Sequence, residues 1–269
     1  MKKNHTSLLL FLLVALMALS ACGLLQEPEA ASSTIEAIPL ATQAAGVATS
    51  EPATTEAAAP TAVPAEATAA PAEATTAPEP TAETPTEAPA GTALVFTIDQ
   101  SASQVRFQLD EELRGQPTTV VGTTDQVAGQ LSVNLADLSQ TQVGIIQINA
   151  RTLATDNNFR NRAIQNEILD TGSFEFITFT PTGIEGLPAS ATVGEAISFS
   201  LVGDLTIRDI TMPATFTVEA TAVSETQIVG TATAVVNRTD FGLQIPSVPS
   251  VANVEEQVEL YIDFTANAS

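Results

Sequence analysis

The alternation between residues 197 and 222 constrains this chain more than any other feature. Ile197, Phe199, Leu201, Gly203, Leu205 and Ile207 are separated by single residues of the opposite phase. The same pattern resumes in Ile210, Met212, Ala214, Phe216, Val218 and Ala220. Successive side chains of a strand point to opposite faces, so a period of two over this length predicts two strands with one buried and one wet face. With Arg208 and Asp209 as a two-residue turn, Ile207 faces Ile210, Leu205 faces Met212 and Leu201 faces Phe216. A slip of one residue would send every apolar side chain to the wrong face. Whatever else the chain builds must enclose the apolar side of this hairpin.

Other segments share the period. Leu94 to Asp99 and Val105, Phe107 and Leu109 open the pattern. Asp110-Glu111-Glu112 and Gly115-Gln116-Pro117 then break it and predict a loop. Val127, Gly129, Leu131, Val133 and Leu135 alternate again, 142–150 is apolar in both phases, and 174–181 is a further strand. Gly230, Ala232, Ala234 and Val236 form a small-residue row that would leave interior room. Val258, Leu260, Ile262 and Phe264 form the last row. Phe159, Ala163, Ile164 and Ile168 recur at helical spacing instead, predicting one short helix over 157–169 with Thr155-Asp156 as its capping side chains. Roughly eight strands at regular intervals predict an all-β antiparallel sandwich or barrel.

The pattern is confined to residues 92–269, which hold ten of the 11 phenylalanines and the only tyrosine. Before it, ten of the 16 prolines fall between Pro28 and Pro89, in a segment of Ala, Thr, Pro and Glu without an aromatic residue. Such a composition cannot bury enough apolar surface to offset chain entropy, so 22–91 is expected to be a disordered linker. At ~3.1 Å per residue for proline-rich chain it would hold the domain tens of ångströms from its anchor. At the N-terminus, Lys2 and Lys3 precede an apolar run from Leu8 to Leu19 and then Ser20-Ala21-Cys22-Gly23. A positive start, a short apolar run and small residues describe an export signal over 1–21. Leu19-Ser20-Ala21-Cys22 resembles the bacterial lipobox. That resemblance implies a lipoprotein anchored in a membrane by acyl chains on Cys22, on the periplasmic or cell-surface side.

The residue inventory excludes much chemistry. The one histidine is His5 and the one cysteine is Cys22. Once the signal is removed the chain has no Ser-His-Asp or Cys-His nucleophile, Schiff-base lysine or zinc site with nitrogen or sulfur ligands. Asp204, Asp209, Asp240 and Tyr261 remain for acid–base work, and nothing in their sequence surroundings signals burial. An imitation of a calcium loop at Asp156, Asn158 and Glu167 is defeated by Arg160 and Asn161. The chain is therefore read as a non-enzyme without metal or cofactor. Residues 92–269 carry seven arginines against 21 acids, a net charge of −14, which opposes nucleic-acid binding.

Three segments together resemble the YceI-like family of lipocalin-like, polyisoprenoid-binding proteins. Asp204-Leu205-Thr206-Ile207-Arg208-Asp209-Ile210-Thr211-Met212-Pro213 is similar to the family's G-x-L-T-I-x-G-V-T-x-P, with Asp209 in place of the turn glycine. Asn237-Arg238-Thr239-Asp240-Phe241-Gly242 is similar to N-R-x-D-F-G. Phe159-Arg160-Asn161-Arg162-Ala163-Ile164, followed by Leu169-Asp170 and Ile177-Thr178-Phe179, resembles R-D-x-H-L with F-D and I-x-F. In this third motif Asn161 replaces an acid, Ala163 the histidine, Leu169 an aromatic and Glu175 a proline. The resemblance implies an eight-stranded antiparallel barrel holding the isoprenoid tail of a lipid.

On that expectation the interior row supplies the ligand wall: Phe107, Leu131, Val133, Phe199, Leu201, Leu205, Met212, Phe216 and Val218. Arg160 and Arg162 are the headgroup candidates, since arginine suits phosphate geometry. Arg238 and Asp240, two apart, read as a local ion pair or turn lock. The alternative to a lipid carrier is a surface interaction module with a filled interior that binds through loops 110–115 or 247–256.

Overall fold

The computed structural model describes residues 27–32, 35–40 and 91–269. Its strands are β1 (Leu94–Ile98), β2 (Gln104–Leu113), β3 (Gln116–Thr124), β4 (Val127–Ala128), β5 (Gln130–Val133), β6 (Gln142–Val143), β7 (Ile146–Asn149), β8 (Phe176–Glu185), β9 (Ala196–Ile207), β10 (Ile210–Ser224), β11 (Gln227–Asn237), β12 (Val251–Ala252) and β13 (Gln257–Ala268). The helix α1 (Asn158–Ala163) continues into a π-helical turn, Ile164–Ile168. Strands β9 and β10 pair in the register that the alternation demands, with Ile207 opposite Ile210, Leu205 opposite Met212 and Leu201 opposite Phe216. The turn differs in one respect. Arg208, not Asp209, takes the left-handed conformation, with φ 59°. The loss of the family's glycine at 209 therefore places no demand on the backbone there.

All strands belong to one antiparallel sheet curled on itself. Its hydrogen-bonded path runs β4-β7-β8-β9-β10-β11-β13-β1-β5-β6, with β2, β3 and β12 attached off it. The expectation of an eight-stranded closed barrel is thus corrected to a curled sheet with a ten-strand path. The physical reason is interruption. The Asp99 carboxylate accepts from the Ser101 amide and caps a 3-10 turn over Gln100–Ala102, dividing β1 from β2. Beyond that break, β13 pairs with β1 at one end and with β2 at the other. The stretch from β3 to β5 is broken in the same way around β4, and β6 is separated from β7 by Gly144-Ile145.

The loop expected at 110–117 is mostly strand. β2 runs on to Leu113 and turns through Arg114 (φ 53°) and Gly115 (φ 76°) into β3. Two left-handed residues are what a two-residue hairpin turn of the right twist requires. Phe107 pairs with Gly122 across this hairpin. A Cβ on Gly122 would collide with the Phe107 ring, so glycine is what lets the ring lie flat there.

Part of the segment expected to be disordered is docked. Ile35 is buried, and its carbonyl accepts from Gln100 Nε2 at 2.6 Å. The Leu40 amide donates to Gln130 Oε1 at 3.4 Å. Ser32 donates through its amide and hydroxyl to the two oxygens of Glu175, at 2.6 and 2.9 Å. Arg151 donates to the carbonyls of Ala30, Thr171 and Gly172 and pairs with Glu175 at 3.2 Å. The signal segment 1–21, Cys22 and residues 41–90 lie outside the described residues.

The Glu175 clasp sets a pH dependence. Partial burial pushes its carboxyl upward. The Ser32 hydrogen bonds, the Asn149 side chain and the Arg151 charge together outweigh that and leave it below the usual value of 4.5. A carboxyl lowered in the folded state contributes stability above its unfolded pKa and loses it as pH falls through the folded one. Residues 27–32 are therefore expected to stay docked from neutral pH to about pH 4.5 and to release below it. Hydrogen exchange at the Ser32 amide across a pH series checks this. Glu175→Gln should weaken docking at neutral pH and remove the step, and protection that persists unchanged at pH 3 would refute the role of Glu175.

Candidate functional site

The curled sheet is packed solid at one end and open at the other. At the filled end Phe96, Val127, Val133, Leu201, Val218, Ile228 and Ala266 form a continuous buried core. At the other end lies a cavity of about 720 Å³. Phe179 and Phe216 line it, their rings edge-to-face with centroids 4.8 Å apart. Val105, Phe107 and Leu109 from β2, Ile177 from β8, Leu205 and Ile207 from β9, and Val258, Leu260 and Ile262 from β13 form the walls. These walls take one phase of each strand, as an enclosed apolar space requires.

Two non-strand segments complete the enclosure. The first is α1 with its π-helical turn, which contributes Phe159, Arg160, Ala163, Ile164 and Ile168. Its cap is Asn157, which accepts from the amides of Phe159 and Arg160, rather than Thr155 or Asp156. Phe159 is not on a buried face as its spacing suggested. It is 71% exposed at the cavity rim, because the helix is only one and a half turns long and Phe159 sits in its first. The second is the segment from Leu243 to Val254, which contributes Leu243, Ile245, Val248, Val251 and Val254. It is held by β12 pairing with the far half of β2, and by Arg238, which donates to the carbonyls of Leu243, Val254 and Glu255. Arg238 is thus a loop lock through backbone carbonyls, while the Asp240 carboxylate accepts from Asn237.

Arg106, Arg114, Arg160 and Arg238 border the cavity, and one acid, Glu111, joins them. Glu111 occupies the inward phase of β2, continuing Val105, Phe107 and Leu109, and is buried. Arg160 reaches it from α1, with Nη2 donating to Oε1 at 2.8 Å, and donates through Nη1 to Asp156 at 2.6 Å. The candidates for acid–base chemistry lie elsewhere. Asp204, Asp209 and Asp240 are exposed. Tyr261 is on the outer phase of β13 under the Arg106 guanidinium, 4.1 Å from its ring centroid. Its hydroxyl donates to Glu259, and that bond, followed by burial, pushes its pKa above the usual value. Among the described residues no three acidic side chains gather to hold a metal, and no helix is long and apolar enough to cross a membrane.

A profile described as the YceI-like domain matches residues 96–266. The chain belongs to the YceI-like family. No curated protein matches it. Among solved structures, this YceI-like chain is similar to a polyisoprenoid binding domain from Saccharophagus degradans implicated in plant cell wall breakdown. The two are 15% identical with a TM-score of 0.52, over 65% of this chain and 99% of that one. It is also similar to BcnA of Burkholderia cenocepacia, 18% identical with a TM-score of 0.50, over 63% of this chain and 99% of that one. At such identities the likeness speaks for the fold.

Within the YceI-like domain the expected ligand wall divides. Phe107, Leu205, Phe216 and Arg160 line the cavity. Val133, Leu201 and Val218 are buried in the filled end, and Leu131, Phe199 and Met212 pack against the same core outside the cavity. Arg162 lies on the helix away from the cavity. The small residues Gly230, Ala232 and Ala234 do not make the room either. A Cβ on Gly230 would come within 2.7 Å of the Phe264 ring, which fills that space. Sequence reading missed Glu111, although the alternation Val105, Phe107, Leu109, Glu111, Leu113 was there to be extended. It also missed the wall at 243–254, which has no period to betray it.

Proposed function

We propose that this chain is an extracytoplasmic lipid-binding protein, anchored in a membrane through lipidated Cys22, that holds an isoprenoid or similar long apolar chain in the cavity. The observation that carries the reading is the cavity itself: about 720 Å³ enclosed almost wholly by aliphatic and aromatic side chains. That volume is within the ~300–1,000 Å³ typical of small-molecule sites. At ~30 Å³ per water-sized unit it admits on the order of two dozen heavy atoms, about five isoprene units. A longer chain would leave past Phe159. The S. degradans relative, described as a polyisoprenoid binding domain, supports the ligand class. A scaffold with a filled interior is disfavoured, because loops 110–115 and 247–256 pair with each other through β2 and β12 and wall the cavity.

Mass spectrometry of lipid extracted from protein purified from its native membrane tests the proposal. A co-purifying apolar chain in near-stoichiometric amount is expected, and repeated recovery of lipid-free protein that also fails to bind added prenols would overturn it. Phe159 offers a narrower check. Phe159→Ser should change Tm by no more than about 2 °C, as expected for an exposed site. It should weaken binding of chains longer than five units severalfold and leave shorter ones unaffected, as read by competition with a fluorescent apolar probe.

A further inference from the structure

We infer, on the reading that the cavity holds an apolar chain, that Glu111 selects a ligand with an uncharged hydroxyl head and rejects a phosphorylated one. Four arginines border the cavity, Arg106, Arg114, Arg160 and Arg238, and the one that meets Glu111 is already spent. The Arg106 guanidinium stacks on the Tyr261 ring on the outer face of the sheet. Arg160 is shared between Glu111 at 2.8 Å and Asp156 at 2.6 Å, so the three groups together carry a net negative charge. Arg238 also borders the cavity, but its guanidinium is committed to three backbone carbonyls. Arg162 does not line the cavity, and Arg114 borders it only from the solvent-exposed β2–β3 turn, where water screens its charge.

A phosphate entering this mouth would have to take Arg160 from Glu111. That would leave a carboxylate with a side chain only 7% exposed without its partner and beside the incoming anion. Like charges brought together in a partly desolvated site are strongly unfavourable. A hydroxyl meets the pair as it stands, since it donates to a carboxylate, which only accepts, and accepts from a guanidinium, which only donates. The acidic surface of the domain acts in the same sense, repelling anions before they reach the mouth.

The test holds the tail constant and varies the head. Full-length protein is titrated with farnesol, farnesyl monophosphate and farnesyl diphosphate, each displacing the same fluorescent apolar probe. Farnesol is expected to bind at least about tenfold tighter than either phosphate. In Glu111→Gln the preference should shrink or reverse, because Arg160 is released while the cavity keeps its shape. Asp156→Asn, at an exposed position that does not threaten folding, should shift the ratio in the same direction by less. A loss of structure would lower all three affinities together and cannot move their ratio. Equal or tighter phosphate binding by the unaltered protein, or a ratio unchanged in both variants, overturns the assignment to Glu111. Failure of all three ligands to bind the unaltered protein overturns the isoprenoid reading itself, and the head selection with it.

Discussion

Truncation of Phe179 to alanine is expected to cost about 3–5 kcal/mol, the usual range for a fully buried aromatic ring. For a domain of this size each kcal/mol corresponds to roughly 2–4 °C, so Tm should fall by about 6–20 °C. The ring is 2% exposed and meets Phe216 edge-to-face, so its loss removes both buried area and a specific aromatic contact. It also borders the cavity, and the deletion merges a new void with an existing one instead of letting neighbours collapse inward. An added apolar ligand should therefore recover part of the lost Tm by filling the combined space, since a ligand that binds only the folded state stabilises it. Scanning calorimetry with and without farnesol measures both effects. A fall of less than 2 °C would mean that the Phe179–Phe216 pair is not packed as described.

The second large effect comes from filling the cavity. Ile177 on β8 and Leu260 on β13 line it from different strands and are both only half-buried, so each has room to grow. Ile177→Trp with Leu260→Trp should occupy much of the space and abolish measurable binding of an apolar probe, at least tenfold by the loss of contact area. Over-packing of a well-filled core costs about 1–3 kcal/mol, and a pre-existing void should keep the cost at the low end of that range. The fold should persist by circular dichroism while binding disappears. Binding that survives in a folded double variant would place the ligand outside this cavity and remove the main support for the proposed function.

The hairpin and its register were readable because twelve positions alternate without interruption and only one pairing satisfies them all. The same rule hid Glu111. A charged residue in the apolar phase looks like the end of a strand, whereas Arg160 arrives from α1 to pair with it and lets β2 continue. Long-range partners of that kind have no local signature. The wall at 243–254 was invisible for a related reason, since it is held by Arg238 and by the edge of β2 rather than by its own periodicity. The docked segment was lost to averaging. Ile35, Ile38 and Leu40 are apolar residues set in a background of Ala, Thr, Pro and Glu, and a compositional argument weighs the background. The fold class survived these errors because it depends on the sheet. The site did not fully survive them, because it depends on the pieces that close the sheet.

The docked N-terminal residues change the geometry of attachment. Leu40 is fastened at Gln130 and Gly91 at Asn134, where its carbonyl accepts from Nδ2 at 2.6 Å. Gln130 opens β5 and Asn134 directly follows its last residue, so the two fastening points are about 13 Å apart. The two residues that bracket 41–90 are therefore held close together on the domain, so the length of that stretch adds nothing to the distance between them. On the proposed attachment at Cys22, the lipid would be joined to Ala30, whose carbonyl is bound by Arg151, through eight peptide units, a leash of at most about 29 Å at full extension. A cut anywhere between 41 and 90 would leave residues 27–32 and 35–40 fastened to the domain by Arg151, Glu175 and Gln100.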